Sequence, residues 1–83
     1  MIDRVVLTVY AREYCHLCHE MVAAIEALRS GYAFDLEVID VDEDMVLEQR
    51  YGHLVPVLTA NGEEICHYRL DRAALDAYFG KIR

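Results

Sequence analysis

The chain has 83 residues, 55% of them hydrophobic and 28% charged, with a formal net charge of −7. That length fits one domain over residues 1–83 with a modest core, and the composition excludes a disordered chain. The acidic balance argues against nucleic acid or an anionic membrane surface as partner, since both need clustered Lys and Arg, and no apolar run approaches the ~20 residues of a membrane span.

Met1-Ile2-Asp3-Arg4 carries no signal-peptide pattern, so a cytoplasmic location is expected. Arg4-Val5-Val6-Leu7-Thr8-Val9-Tyr10 is a β-branched and aromatic run, which predicts a first strand buried on both faces. Ala11 to Tyr14 reads as a loop. From Cys15 the period becomes helical: Cys18, Met21, Val22, Ile25 and Leu28 form an apolar stripe, with Glu20 and Glu26 opposite. Ser30-Gly31 is expected to end this helix, with Arg29 in its last turn, where the dipole favours a cation.

Phe34 to Val41 predicts a second strand. Asp42 is then expected to cap a short helix that has Glu43 and Asp44 in its first turn, Leu47 and Tyr51 facing the core, and Gly52 as its stop. Val55-Pro56-Val57-Leu58-Thr59 reads as a third strand opening at the one proline. Asn61-Gly62 signals a hairpin into Glu64-Ile65-Cys66-His67-Tyr68. Asp71 can cap a last helix whose apolar side is Leu75, Tyr78, Phe79 and Ile82. The order is βαβ, helix, hairpin, helix, so the expected fold is α/β with a mixed sheet covered by helices.

The chain has three cysteines, and two of them, Cys15 and Cys18, fall at the junction of the first strand and first helix. In a reducing compartment a close pair is more often catalytic or metal-binding than structural. Residues three apart on a helix have Cβ atoms ~5–6 Å apart, and a disulfide needs ~3.5–4.5 Å, so a small adjustment lets the pair alternate between dithiol and disulfide. Cys15, at the helix start, is the expected nucleophile; Cys18, on the apolar stripe, is the expected resolving thiol. Lowering a thiol from ~8.5 to ~7 takes about 2 kcal/mol, whereas a helix N-terminus supplies ~0.3–1 kcal/mol and up to ~2 in favourable geometry. Arg12 and a protonated His16 are the cations placed to supply the rest, with Glu13 opposing them.

Tyr10 to Cys18, following a first strand, resembles the active-site entry of glutaredoxins and the wider thioredoxin-like superfamily, and is most similar to a short glutaredoxin-like branch carrying C-H-L-C. The resemblance covers essentially the whole chain. It implies a thioredoxin-like, glutaredoxin-sized fold with a four-stranded mixed sheet flanked by three helices. The implied activity is thiol–disulfide exchange in electron transfer and cell redox homeostasis. It also implies a cis bond at Val55-Pro56 facing the cysteines, with Val55 offering backbone groups to a bound peptide or thiol. Tyr14 and Leu17 are candidate substrate contacts, and Arg12 matches the basic residue that glutaredoxins place before the motif. The implied partners are a protein or small-molecule disulfide and a cellular thiol reductase, with a monomer expected and no cofactor. Glutathione is a candidate co-substrate, but two departures count against it. His16-Leu17 replaces the Pro-Tyr of C-P-Y-C, and His67-Tyr68-Arg69-Leu70-Asp71 stands where glutaredoxins have a Gly-Gly turn and an acidic residue.

Simpler readings stand beside these. C-x-x-C also serves zinc, and Cys66, His67, His16 and His19 are further N and S ligands, but adjacent strand residues point to opposite faces and no second tight pair exists. No metal site is expected, and a metal carrier or non-catalytic binding module is the alternative function. Cys66 is expected to be a small buried hydrophobe. His19 and His53 are expected on the surface, and Asp40, Asp42, Glu43 and Asp44 are read as helix caps and a solvated face.

Overall fold

The computed structural model describes residues 4–82. The Met1-Ile2-Asp3 part of the expected leaderless start lies outside them. The elements are β1 (Val5–Ala11), α1 (His16–Glu26), β2 (Phe34–Asp40), α2 (Met45–Tyr51), β3 (Val57–Ala60), β4 (Glu63–His67) and α3 (Arg72–Lys81). Short 3₁₀ turns at Ala27–Ser30 and Val41–Glu43 end α1 and lead into α2. The strands form one mixed sheet in the order β2-β1-β3-β4, as expected of a thioredoxin-like fold. β1 and β2 are parallel, from Val5 opposite Phe34 to Ala11 opposite Asp40. β3 runs antiparallel to both β1 and β4.

The period-2 pattern of β1 sorts the core into two layers. Val5, Leu7, Val9 and Ala11 join Cys18, Met21 and Ile25 of α1 and Leu75, Tyr78 and Phe79 of α3 in the larger cluster. Tyr10, on the other face, packs with Val41, Tyr51 and Val57 and stacks on Tyr51 with ring centroids 4.3 Å apart. Helices α1 and α3 therefore cover one face of the sheet and α2 the other. The two-residue hairpin forms at Asn61 (φ 49°) and Gly62 (φ 88°), the left-handed pair a type I′ turn requires. Asn61 also accepts the Val6 N–H on its side chain at 2.8 Å, which ties the turn to β1.

Two local expectations are corrected. Asp44, not Asp42, caps α2, its carboxylate accepting the Val46 and Leu47 N–H groups. Asp40 accepts the Asp42 N–H and so turns Val41–Glu43 into a separate 3₁₀ turn, which delays the helix start and frees the Asp42 carboxylate for Arg12. Ile82 is 45% exposed rather than on the apolar side of the last helix, because α3 ends at Lys81 and leaves Ile82 as its C-cap. Gly52 does end α2, but with φ −55°. Its lack of a side chain answers a close approach: a Cβ there would lie 2.6 Å from the Arg12 guanidinium.

Candidate active site

β1 delivers the chain to Cys15, which is the N-cap of α1 in extended conformation (φ −135°, ψ 104°). Its Sγ accepts the Cys18 N–H at 3.2 Å, filling the place that a Ser or Asp oxygen takes at other helix starts. Cys15 and Cys18 form a disulfide with Cα atoms 5.2 Å apart, inside the ordinary range. The two sulfurs sit in different surroundings. Cys18 is fully buried on the stripe with Met21 and Ile25, whereas Cys15 is partly exposed at the edge of the same cluster.

The other residues singled out in the sequence fall into two groups. Leu17 lies between the two cysteines in the chain, and Val55–Pro56 is the segment that leads into β3. Val55 packs against both core clusters, the larger of which also holds Cys15 and Cys18, and the Val55–Pro56 bond is cis. Among the described residues, neither the N–H nor the C=O of Val55 has a hydrogen-bond partner. Leu17 lines a groove of about 190 Å³ that runs between Met21 of α1 and the turn Tyr68-Arg69-Leu70. Tyr14 projects into solvent, 95% exposed.

Arg12 and His16 are engaged elsewhere. The Arg12 guanidinium pairs with Asp42, reaches Glu48 Oε1 at 3.3 Å and donates to the Gly52 carbonyl at 3.1 Å. It joins the end of β1 to the α2 layer, and its charge is offset by those two carboxylates. His16 is exposed and pairs with Glu20 one turn on, Nε2 to Oε2 at 2.9 Å. Arg12 and His16 thus each have an acidic neighbour, a long-range arrangement that β1 and α1 spacing alone does not encode for Arg12.

Cys66 is half-buried on β4 and free; its Sγ accepts the Asp71 N–H at 3.5 Å. Burial pushes its thiol pKa up, and the neighbouring Asp71 and Glu64 charges push the same way. It is less enclosed than a core hydrophobe because β4 is the sheet edge. No group of three or more His, Cys, Asp or Glu able to hold a metal gathers among the described residues. No helix among them is long and apolar enough to cross a membrane.

One site residue was not legible in the sequence. Tyr68 follows β4 with φ 67°, the left-handed region that a bulky side chain rarely occupies and that costs on the order of 1–3 kcal/mol. Its N–H donates to the Pro56 carbonyl at 2.8 Å and its hydroxyl donates to the His53 carbonyl at 3.0 Å. Gly or Asn would have signalled such a backbone; Tyr gives no local hint.

The family model for "Glutaredoxin-like domain (DUF836)" matches residues 6–80. The chain belongs to this glutaredoxin-like family. Among solved structures, protein Ne2328 from Nitrosomonas europaea is 42% identical, with 94% of each chain covered and a TM-score of 0.85. Protein XcR50 from X. campestris is 35% identical, with 93% of this chain and 99% of that one covered and a TM-score of 0.71. A thioredoxin from Halobacterium salinarum is 27% identical over 96% of this chain and 75% of its own, with a TM-score of 0.65. No curated protein matches the chain. The glutaredoxin-like fold thus carries, in this chain, a disulfide-capable cysteine pair at the start of its first helix.

Proposed function

We propose that the chain is a thiol–disulfide oxidoreductase in which Cys15 attacks and Cys18 resolves. The observation that carries this reading is the asymmetry of the pair: Cys15 Sγ receives the Cys18 N–H at the helix start, while Cys18 is buried. A sulfur in that position gains a donor and the helix dipole when it is an anion. In the forward half-reaction the Cys15 thiolate attacks one sulfur of a substrate disulfide. A mixed disulfide forms and one substrate sulfur leaves as a thiolate, which takes up a proton. Cys18 loses its proton, attacks Cys15 Sγ and expels the second substrate thiolate. Two electrons pass to the substrate, and Cys15–Cys18 becomes the disulfide. A cellular thiol reductase returns the pair to the dithiol; a cytoplasmic location goes with that need for a reducing partner. No bound cofactor enters these steps.

Leu17, Val55 and Pro56 are the proposed substrate-facing residues, with Tyr14 at the rim. The open N–H and C=O of Val55 suit pairing with an extended segment, in the manner of an added strand. The deciding experiment is insulin-disulfide reduction with a chemical reductant. Catalytic turnover above the reductant alone is expected; no turnover together with stoichiometric retention of a metal ion would favour the carrier alternative.

Arg12 is proposed to favour the thiolate by holding Asp42 and Glu48 neutralised as well as by its own charge. His16 is proposed as a weaker tuner because the Glu20 carboxylate beside it offsets the charge of its protonated form. In Arg12→Ala both carboxylates are released, so the Cys15 thiol is expected to titrate at higher pH. Thiolate absorbance at 240 nm across pH (about 240 nm being the thiolate band) reads this directly, and an unmoved curve removes the role.

A further inference from the structure

Tyr68 does two jobs at the segment that ends in Pro56. Its backbone N–H holds the Pro56 carbonyl at 2.8 Å, and its hydroxyl holds the His53 carbonyl at 3.0 Å. The two bonds grip residues 53 and 56 from one side chain and its own backbone. Between them lies Val55, whose N–H and C=O are open among the described residues. Tyr68 also forms a wall of the groove lined by Leu17, the residue before Cys18. The left-handed backbone at φ 67° is what lets one residue present both donors to the same loop. The ring is 46% exposed, so core packing does not account for its placement. His67 meets it edge-on, with centroids 4.7 Å apart.

We propose that Tyr68 is a positioning residue that fixes Val55 for backbone pairing with an extended polypeptide, so that the site favours polypeptide disulfides over small ones. This rests on the oxidoreductase reading given above. A small disulfide has no backbone to pair with Val55 and reacts at Cys15 without help from the loop. Loss of the Tyr68 hydroxyl should therefore act on one substrate class only.

The test is Tyr68→Phe, which keeps the ring, the backbone donor and the fold. Reduction of insulin and of 2-hydroxyethyl disulfide is followed with the same reductant. For insulin, KM is expected to rise roughly 2- to 10-fold, the range of one net hydrogen bond, with kcat unchanged. For 2-hydroxyethyl disulfide both constants should match wild type. Equal losses on both substrates, or no change on either, overturn the proposal. A wild type inactive on both substrates instead overturns the oxidoreductase reading. In that event the positioning itself is read from backbone amide resonances. Leu54 and Val55 are expected to shift in Tyr68→Phe while Ala60 and Asn61 stay in place, and unmoved Leu54 and Val55 signals reject it.

Discussion

Replacing Cys18 with Ser is expected to stop insulin reduction at the background rate of the reductant and to leave a substrate covalently held on Cys15. Both outcomes follow from where each sulfur sits. Cys15 is at the edge of the cluster, partly exposed, and its sulfur takes the N–H of residue 18, a backbone group that serine keeps. The first attack therefore survives the substitution, and the second, which needs a thiol at position 18, does not. Mass spectrometry of the reduced variant incubated with a disulfide peptide should show the added mass at Cys15. In Cys15→Ser the remaining thiol is fully buried beneath the helix start, so an approaching disulfide has no line to it. Capture there should be slight, and turnover should again fall to background. Efficient capture through Cys18 in Cys15→Ser would reverse the roles. Cys66 supplies an internal control. Burial raises its thiol pKa, which holds it in the unreactive neutral form near pH 7. Adduct formation on Cys66 in the Cys18→Ser protein would show that half-burial does not protect it.

The parts of this molecule that could be read from sequence are those set by local periodicity. β1 is a continuous β-branched run, the stripe Cys18, Met21, Ile25 repeats at helical spacing, and Asn61-Gly62 admits few backbones other than the I′ turn observed. Those features fixed the order of elements and put the cysteines at a strand-to-helix junction. The misplaced features depend on groups far apart in the chain. Asp42 has the composition of an N-cap, but Arg12, thirty residues away, takes its carboxylate, and Asp44 does the capping. Gly52 does end α2 as read, but its need to be small is set from afar, because Arg12 and Glu48 crowd it. Tyr68 is the extreme case. Its backbone conformation is held by Pro56 and His53, and nothing in Cys66-His67-Tyr68-Arg69 announces it. At the site, likewise, the disulfide-capable pair Cys15 and Cys18 was legible from spacing, whereas the partners of Arg12 and Tyr68 come from distant parts of the chain.

Truncating Ile25 to Ala should produce a large stability loss from a position remote from the sulfurs. Ile25 is fully buried and belongs to the cluster that joins α1 to β1 and α3. Removing a buried Ile side chain to Ala costs about 2–5 kcal/mol, part from transfer and part from the cavity left behind. Domains of this kind hold about 5–15 kcal/mol in total, so a large share of the stability would go. Neighbouring Leu75 and Phe79 are anchored on another helix, and Leu7 and Val9 on the central strand, so little of the cavity can close by relaxation. Urea unfolding of the oxidised protein should show a lower midpoint with the same slope, and Gln49→Ala, exposed on α2, should stay within ~0.5 kcal/mol of wild type. The functional consequence is specific. Cys18 rides on the same stripe two turns earlier, and its burial is what separates its proposed role from that of Cys15. A loosened α1 should therefore make Cys18 more accessible, and the folded Ile25→Ala, Cys15→Ser double variant should capture a disulfide peptide faster than Cys15→Ser alone. Equal capture rates would mean that the helix start is held by the N-cap at position 15 and β1 rather than by the stripe beneath it.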